Sequence, residues 1–427
     1  MMQSTFNAIV VGAGPAGCTA ALLLARAGWS VALVEKHAFP RRKVCGECIA
    51  ASNLPLLAAL GIGERLDLEA GTQLRQVALM HGSTQVVADL PANGHKDYLW
   101  GRALGRETLD TLLLDQARLE GVHVFQPWAV QQFRGNRGDW LCDMREVATG
   151  ADRVLRSPVA IDAHGSWGSL PAAGKQPRRS HKGSDLFAFK ANFRNATQPR
   201  ELLSVLALHG GYGGLVTAGG GLTTLACCIR RDQLMQWRTL LPGKRAGEVV
   251  ETVLKDQCTG VRVALRGAAR LGPWLGAGPL YTGIHLRASD SIFRVGNAAG
   301  EAHPIIGEGI SMAFQSAWLL CEQLLQSEPR ADREDADWQR RIAALYAQQW
   351  RGHFAPRMRI AAGFAHLAMR PALTPWLLAT ARRWPELLTN GALWSAKARC
   401  AVDPAQMQAH FAAWGKNPAS TLWPPLE

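Results

Sequence analysis

Short apolar runs rich in β-branched residues alternate with longer stretches of helical period through the first part of the chain. Ile9-Val10-Val11 has no polar alternation, the pattern of a strand buried on both faces. It breaks at Gly12-Ala13-Gly14-Pro15-Ala16-Gly17, and the Ala- and Leu-rich stretch to Ala27 predicts a helix closed by Gly28. Ser30 to Val34 predicts a second strand ending at Glu35, and Val122-His123-Val124 a third. Between them, Ser52 to Leu60 reads as a helix capped by the Ser52 hydroxyl and stopped by Gly61. Val77 to Leu90 alternates like paired strands, and Glu107 to Leu119 is an amphipathic helix. Strand-like segments continue through Trp140 and Val154 to a buried strand over Val159–Ala163, which runs into the polar turn His164–Ser169.

From about Leu186 to Arg287 the helical period weakens. Strands are expected over Leu202–Leu208, Gly213–Val216 and Leu222–Ile229, then helices over Met235–Leu241 and Gly247–Cys258. Ile292–Val295 returns as a buried strand leading into Gly296-Asn297, and Ser311–Leu325 is a long apolar helix. Glu328 to Asp337 is a charged linker. The remainder is helical, basic and tryptophan-rich, punctuated by Pro371, Pro375 and Pro385. The predicted architecture is α/β. A Rossmann-type domain occupies 1–185 and 288–326, with 70–100 on the substrate side; a sheet-rich substrate domain follows at 186–287, and a helical C-terminal region at 338–427.

Composition changes this picture little. The 427 residues, 48% hydrophobic and 19% charged, suffice for more than one sizeable core. No apolar run reaches the length of a membrane span, and the N-terminus enters the first strand with no signal peptide, so a cytoplasmic location is expected. Nine cysteines, an odd number without paired spacing, suit a reducing compartment. Cys45 and Cys48 form C-x-x-C with no second pair or histidine at zinc-finger spacing, so no metal site is expected. The net charge of +13 comes without a dense Lys/Arg tract or a nucleic-acid module, which argues against nucleic acid as a partner. It fits an arginine-rich surface with sites for anionic cofactors.

The candidate chemistry begins at the glycines. Gly12 allows a tight turn, Gly14 lets backbone amides approach a pyrophosphate, and Gly17 lets helix and strand pack closely. Pro15 and Ala16 open the helix, whose N-terminus favours phosphate. Glu35, about twenty residues beyond, is placed to accept from an adenosine ribose. The basic loop Lys36–Cys48 follows, where Arg41, Arg42 and Lys43 either approach phosphates or are solvated.

Four separated stretches together resemble the flavoprotein superfamily of the p-hydroxybenzoate hydroxylase fold, which includes aromatic hydroxylases, geranylgeranyl reductases and halogenases. They are Gly12–Gly17 with Glu35; Gly105-Arg106 opening a helix; Asp162-Ala163-His164-Gly165-Ser166; and Gly296-Asn297 with Pro304 and Gly307-Glu308-Gly309-Ile310. The resemblance covers about residues 6–325 and implies bound FAD, with Arg42, Arg106, Asp162, Asn297, Pro304, Gly307, Gly309 and Ile310 at the cofactor. Asn297 stands where the family usually has Asp; an amide still accepts a hydrogen bond and loses only the charge. Lys43-Val44-Cys45-Gly46-Glu47 resembles the segment of geranylgeranyl reductases in which the cysteine lies beside the flavin. That makes Cys45 a candidate proton donor, with a small buried residue in a turn as the alternative. His303, next to Pro304, is a candidate acid or base, or a structural histidine.

The expected activity is that of an FAD-dependent monooxygenase using NADPH or NADH and O2 on a hydrophobic or aromatic small molecule, itself free or carrier-bound. The alternatives are an alkene or quinone reductase, which Cys45 favours, and a non-catalytic flavoprotein that binds a partner or a membrane. The lack of a W-x-W-x-I-P segment argues against halogenation. Trp350, Trp376, Trp384 and Trp394 interleave with Arg351, Arg357, Arg359, Arg370, Arg382, Arg383, Lys397 and Arg399, a pattern that suits either membrane contact or a core face beside a solvated one.

Overall fold

The computed structural model describes residues 4–166, 182–326, 333–370, 372–394, 407 and 409–410. A five-stranded parallel sheet has the order Phe293–Arg294, Val159–Asp162, Ala8–Val11, Val31–Val34, His123–Phe125. All four residues of Ala8–Val11 are buried, because both faces of the sheet are covered. On one face lies the helix Pro15–Arg26, buried along its whole length, packed against the helices Arg106–Leu119 and Gly309–Gln326. On the other, Ile9, Val11, Ala32 and Val34 meet Cys142, Met144 and Leu155 of a four-stranded sheet.

A second sheet of seven strands runs in the order Ala269–Ala277, Leu186–Arg194, Thr223–Arg230, Gly211–Thr217, Leu202–Leu208, Gln76–His81, Thr84–Asp89. Its pairs are antiparallel except that Leu202–Leu208 runs parallel to Gln76–His81, which is how a hairpin from the first part of the chain joins it. Helices Arg231–Leu240 and Ala246–Gln257 bury Leu234, Trp237, Val250 and Leu254 against one face.

The helix Ala336–Ala368 ties the two sheets together. Trp338, Ile342, Tyr346, Trp350 and Phe354 enter the core of the nucleotide-binding part, whereas Ala365 and Ala368 pack with Tyr212 and Cys228 of the seven-stranded sheet. Asp335 caps it through the Asp337 amide, so it starts inside the stretch read as linker. Thr374–Arg383 and Glu386–Trp394 are the last long helices among the described residues.

Two local expectations need correcting. Ser52 does not cap a helix; it lies in a 3-10 turn over Ala51–Asn53, and Pro55 sits in the first turn of the helix Leu54–Ala59. The helix expected from Met235 begins at Arg231, where Asp232 occupies the first turn. Trp167 to Ser169, Pro371, Lys397 and Arg399 lie outside the described residues, as does the side chain of Trp394.

Candidate active site

Strand, turn and helix meet at the glycines under tight steric limits. Gly12 has φ +102°, and a Cβ there would lie 2.5 Å from the Ala163 carbonyl oxygen. A Cβ on Gly17 would come within 1.8 Å of the Gly12 oxygen. Gly14 is extended, with φ −78°, and Pro15 follows in the first helical turn. The buried Glu35 carboxylate accepts from the Ala13 amide at 2.9 Å and from the His37 amide at 2.9 Å, joining the ends of two neighbouring strands. Asp162, at the end of its own strand, accepts from the His164 amide at 3.2 Å and faces the His164 ring nitrogen.

A cavity of about 230 Å³, partly open to solvent, lies between this turn and the seven-stranded sheet. Gly14, Pro15, Ala16 and Arg106 line it, and so do Asn297, Pro304, Gly307, Gly309 and Ile310. Cys45 lies on the same wall, whereas Gly12, Gly17, Glu35, Arg42, Asp162 and His303 are not on it. The opposite wall is apolar, with Phe189, Leu203, Val205, Leu215 and Val216 from the sheet together with Leu280 and Ile305.

The loop bearing Cys45 is held by charge. Glu47 has φ +59°, unusual for a residue with a side chain, and its carboxylate is buried. It accepts from the Arg106 amide at 3.2 Å and also contacts the Lys190 ammonium and the Thr224 hydroxyl. Lys190, 1% exposed, projects from Leu186–Arg194, so the second sheet supplies the countercharge to a loop of the first. Arg106 spans Asp110 through two hydrogen bonds of 2.7 and 2.8 Å. Burial opposes its charge, but Asp110, with a further contribution from the adjacent Cys45, raises its pKa above the usual arginine value. Lys43, also on the cavity wall, is pushed down to about 8, first by burial and then by the neighbouring Arg106 and Arg41. Cys45 therefore stands among cationic groups, and its sulfur accepts from the Glu47 amide at 3.4 Å. Arg42 turns away toward the Leu271 carbonyl, 3.3 Å distant, and Glu107.

The Asn297 side-chain nitrogen donates to Ser166 at 2.7 Å and to Glu301 at 3.3 Å, which leaves its side-chain oxygen as an acceptor on a cavity-lining residue. Glu301 is a buried carboxylate four residues beyond; burial raises its pKa, opposed by hydrogen bonds from Ser166 and the Tyr281 amide. Pro304 and Ile305 of a 3-10 turn face the cavity, but the His303 ring does not. Its two nitrogens lie 3.3 Å from the Tyr212 hydroxyl and 3.4 Å from the Thr282 hydroxyl. Burial, then the nearby His366, push the His303 pKa down to about 4. This geometry suits a neutral, hydrogen-bonding histidine better than the acid–base role.

A pH dependence follows. The folded pKa of His303 lies below its ordinary 6.5, so its contribution to stability is complete above pH 6.5 and is lost as pH falls toward 4. After allowance for partial exposure, this amounts to about 2 kcal/mol. Thermal unfolding from pH 7 to 4 is expected to show this loss, and His303→Gln to flatten that part of the curve. An unchanged slope in the variant would show that His303 is not held neutral.

The residues present fit FAD. At Gly14, where a pyrophosphate would approach, the cavity side is open and only an Arg106 nitrogen would lie within 4 Å of a Cβ; a helix N-terminus opens beside it. Arg41 Nε, close to Glu35, is buried without a hydrogen-bond partner among the described residues, as expected of a donor beside an anionic cofactor. The helix Gly309–Gln326 presents its first residues to the same cavity.

Lys190, Asn192, Thr224 and Glu301 were not singled out from the sequence. One signal was there: Lys190 and Asn192 sit two apart, hence on one face, in the otherwise apolar strand Leu186-Phe187-Ala188-Phe189-Lys190-Ala191-Asn192-Phe193.

Comparison with known proteins agrees with the geometry. The family described as "FAD binding domain" matches residues 5–246. Tryptophan 2-halogenase of Chondromyces crocatus is 27% identical over 394 residues, covering 88% of this chain and 70% of that protein. Menaquinone reductase of Mycobacterium tuberculosis is 25% identical over 339 residues, covering 76% of this chain and 77% of its own length. Among solved structures, the flavin-dependent brominase Bmp2 superposes with a TM-score of 0.74 at 18% identity, over 96% of this chain and 99% of that one. The fold is therefore that of the p-hydroxybenzoate hydroxylase-like flavoproteins. Lack of a W-x-W-x-I-P segment does not separate this chain from proteins named as halogenases.

Proposed function

The chain belongs to the FAD binding domain family and is an FAD-dependent oxidoreductase, and on that premise we propose that it uses O2 to oxidise an aromatic or other apolar small molecule. The observation that carries this reading is the continuity of the cavity. Its glycine-rich end suits a dinucleotide, and its other wall offers Phe189, Leu203, Val205, Leu215 and Val216 to an apolar guest.

Bound FAD supplies two-electron redox chemistry and, once reduced, reactivity toward O2. The chain's own residues bind and orient. Gly14, Pro15 and Ala16 would hold the pyrophosphate, Asn297 the ribityl chain and Glu35, which lies off the cavity wall on the Ala13 amide, the ribose. The helix that opens at Gly309 would place partial positive charge beside the flavin. The apolar wall would keep the substrate end poor in water. Whether oxygen alone or a halide enters the product depends on what the substrate end admits. NADPH or NADH is the expected electron source.

The test is product analysis. Protein loaded with reduced FAD is exposed to 18O2 and a panel of aromatic substrates, with and without chloride or bromide, and read by mass spectrometry. Labelled oxygen in the product supports hydroxylation, halide incorporation supports halogenation, and absence of both overturns the O2-dependent reading. Anaerobic bleaching of the flavin by NADPH or NADH checks the electron source separately.

Cys45 favours a second reading, reduction of a quinone or alkene, because its sulfur lies on the cavity wall beside Arg106 and Lys43. If the thiol donates the proton, Cys45→Ser is expected to slow reduction roughly a hundredfold. It would leave oxygen incorporation nearly unchanged. Equal effects on both would remove the thiol from either mechanism.

A further inference from the structure

The last three helices leave an apolar surface that neither core covers. Phe364 and Leu367, each 40% exposed, lie at the end of Ala336–Ala368. Trp376 is 70% exposed on Thr374–Arg383, Trp384 is 54% exposed just beyond it, and Leu387 is 48% exposed on Glu386–Trp394. The three helices touch one another, and a Cβ built on Gly391 would lie 3.9 Å from the Phe364 ring, so these side chains belong to one neighbourhood.

The charge on these helices is mostly positive, with exposed Asp89 on the adjoining strand. Arg359, Arg370, Arg382 and Arg383 are all exposed, and Glu386 is the single acidic residue between 359 and 394. Trp376 and Arg383 stand seven residues apart, two turns along one face, and the Arg383 guanidinium lies 5.8 Å from the Trp384 ring centre. The inner face of the same helices is joined to the cavity. Leu378, Ala381, Ala365 and Ala368 pack with Tyr212 and Cys228, both of which line it.

We propose that this surface docks laterally on a bilayer containing anionic lipid, placing the cavity close to an apolar substrate dissolved in that membrane. Exposed tryptophans beside arginines match the acyl–headgroup boundary, where an aromatic ring has one apolar side and a cation meets phosphate. The contact is lateral: among the described residues no helix is long and apolar enough to cross a membrane. The proposal does not depend on which reaction the flavin supports, and neither does its test.

The full-length FAD-loaded protein is sedimented with vesicles of phosphatidylcholine, with and without phosphatidylglycerol. Binding is expected to the anionic vesicles and to weaken in high salt. The pair Trp376→Ala with Trp384→Ala is expected to lower partitioning on the order of tenfold. The pair Arg382→Gln with Arg383→Gln should lower it by a similar order and reduce the preference for phosphatidylglycerol. Both pairs replace exposed side chains off the cavity wall, so their bound FAD and circular dichroism should match the parent. A parent protein that stays in the supernatant with both vesicle types would overturn the proposal, as would variants that bind like the parent. A dimer in analytical ultracentrifugation that the tryptophan pair dissociates would assign the surface to a second copy instead, and would equally overturn it.

Discussion

Gly17→Ala is expected to prevent assembly of the nucleotide-binding core, whereas Gly14→Ala is expected to leave the fold intact and remove the cofactor. The difference lies in what each new methyl meets. At Gly17 it would come within 1.8 Å of the Gly12 carbonyl oxygen and 3.2 Å of the Ala163 methyl, so the helix must leave the sheet or the turn must open. Neither atom is at the end of a flexible side chain. Overpacking usually costs about 1–3 kcal/mol, and a collision this short with backbone belongs at or above the upper end. At Gly14 the nearest atom is an Arg106 guanidinium nitrogen at 3.6 Å, an ordinary contact, and the backbone conformation suits alanine. That methyl would instead occupy the approach to the pyrophosphate. Urea denaturation of the apo-proteins and FAD titration separate the two. Comparable stability of the Gly17 variant and the parent would refute the packing argument, and unweakened FAD binding by the Gly14 variant would refute the phosphate site.

Lys190→Met is expected to destabilise the protein by about 3–5 kcal/mol, the cost of leaving the buried Glu47 carboxylate without its cation. Glu47 is 1% exposed and Lys190 likewise, so water cannot replace the lost partner. The Arg106 amide and the Thr224 hydroxyl would remain as donors but cannot neutralise the charge. Adding Glu47→Gln should recover much of the loss, because a neutral amide still accepts from the Arg106 amide while its nitrogen donates to the Thr224 hydroxyl, which can turn to Asn192. A double-mutant cycle in denaturant measures the coupling directly. The loop carrying Cys45 depends on the same contact, so the single variant is also expected to weaken FAD binding. A loss below about 1 kcal/mol would mean that the pair is not desolvated as the geometry indicates.

How much of the site could be read in advance depended on chain separation. The glycines, Pro15, Ala16 and Glu35 sit in one strand–turn–helix–strand unit, where spacing alone brings them together. Arg106 opens a helix after Gly105, again a local arrangement. Glu47 and Lys190 are 143 residues apart, and the hydropathy of either segment gives no sign that they meet. His303 shows the limit of adjacency. Its neighbour Pro304 reached the cavity wall as expected, but the 3-10 turn Pro304–Ile306 leaves the imidazole between Tyr212 and Thr282. Arg42 was likewise assigned to the cofactor by position, and its guanidinium donates to the Leu271 carbonyl.

By itself the sequence determined the nucleotide-binding unit, because steric limits on glycine, strand burial and helix polarity act over a few residues and leave a local signature. It also singled out Cys45, Asn297 and the stretch Gly307–Ile310 as candidates, through motifs contained in single loops. The tertiary structure alone decided which of these share a cavity, what the second wall is made of, and which charges are paired. Those outcomes rest on the pairing of Leu202–Leu208 with Gln76–His81 and on the single helix Ala336–Ala368 that spans both sheets. Contacts of that kind form between surfaces whose partners lie hundreds of residues apart, and their free energy belongs to the assembled pair rather than to either segment.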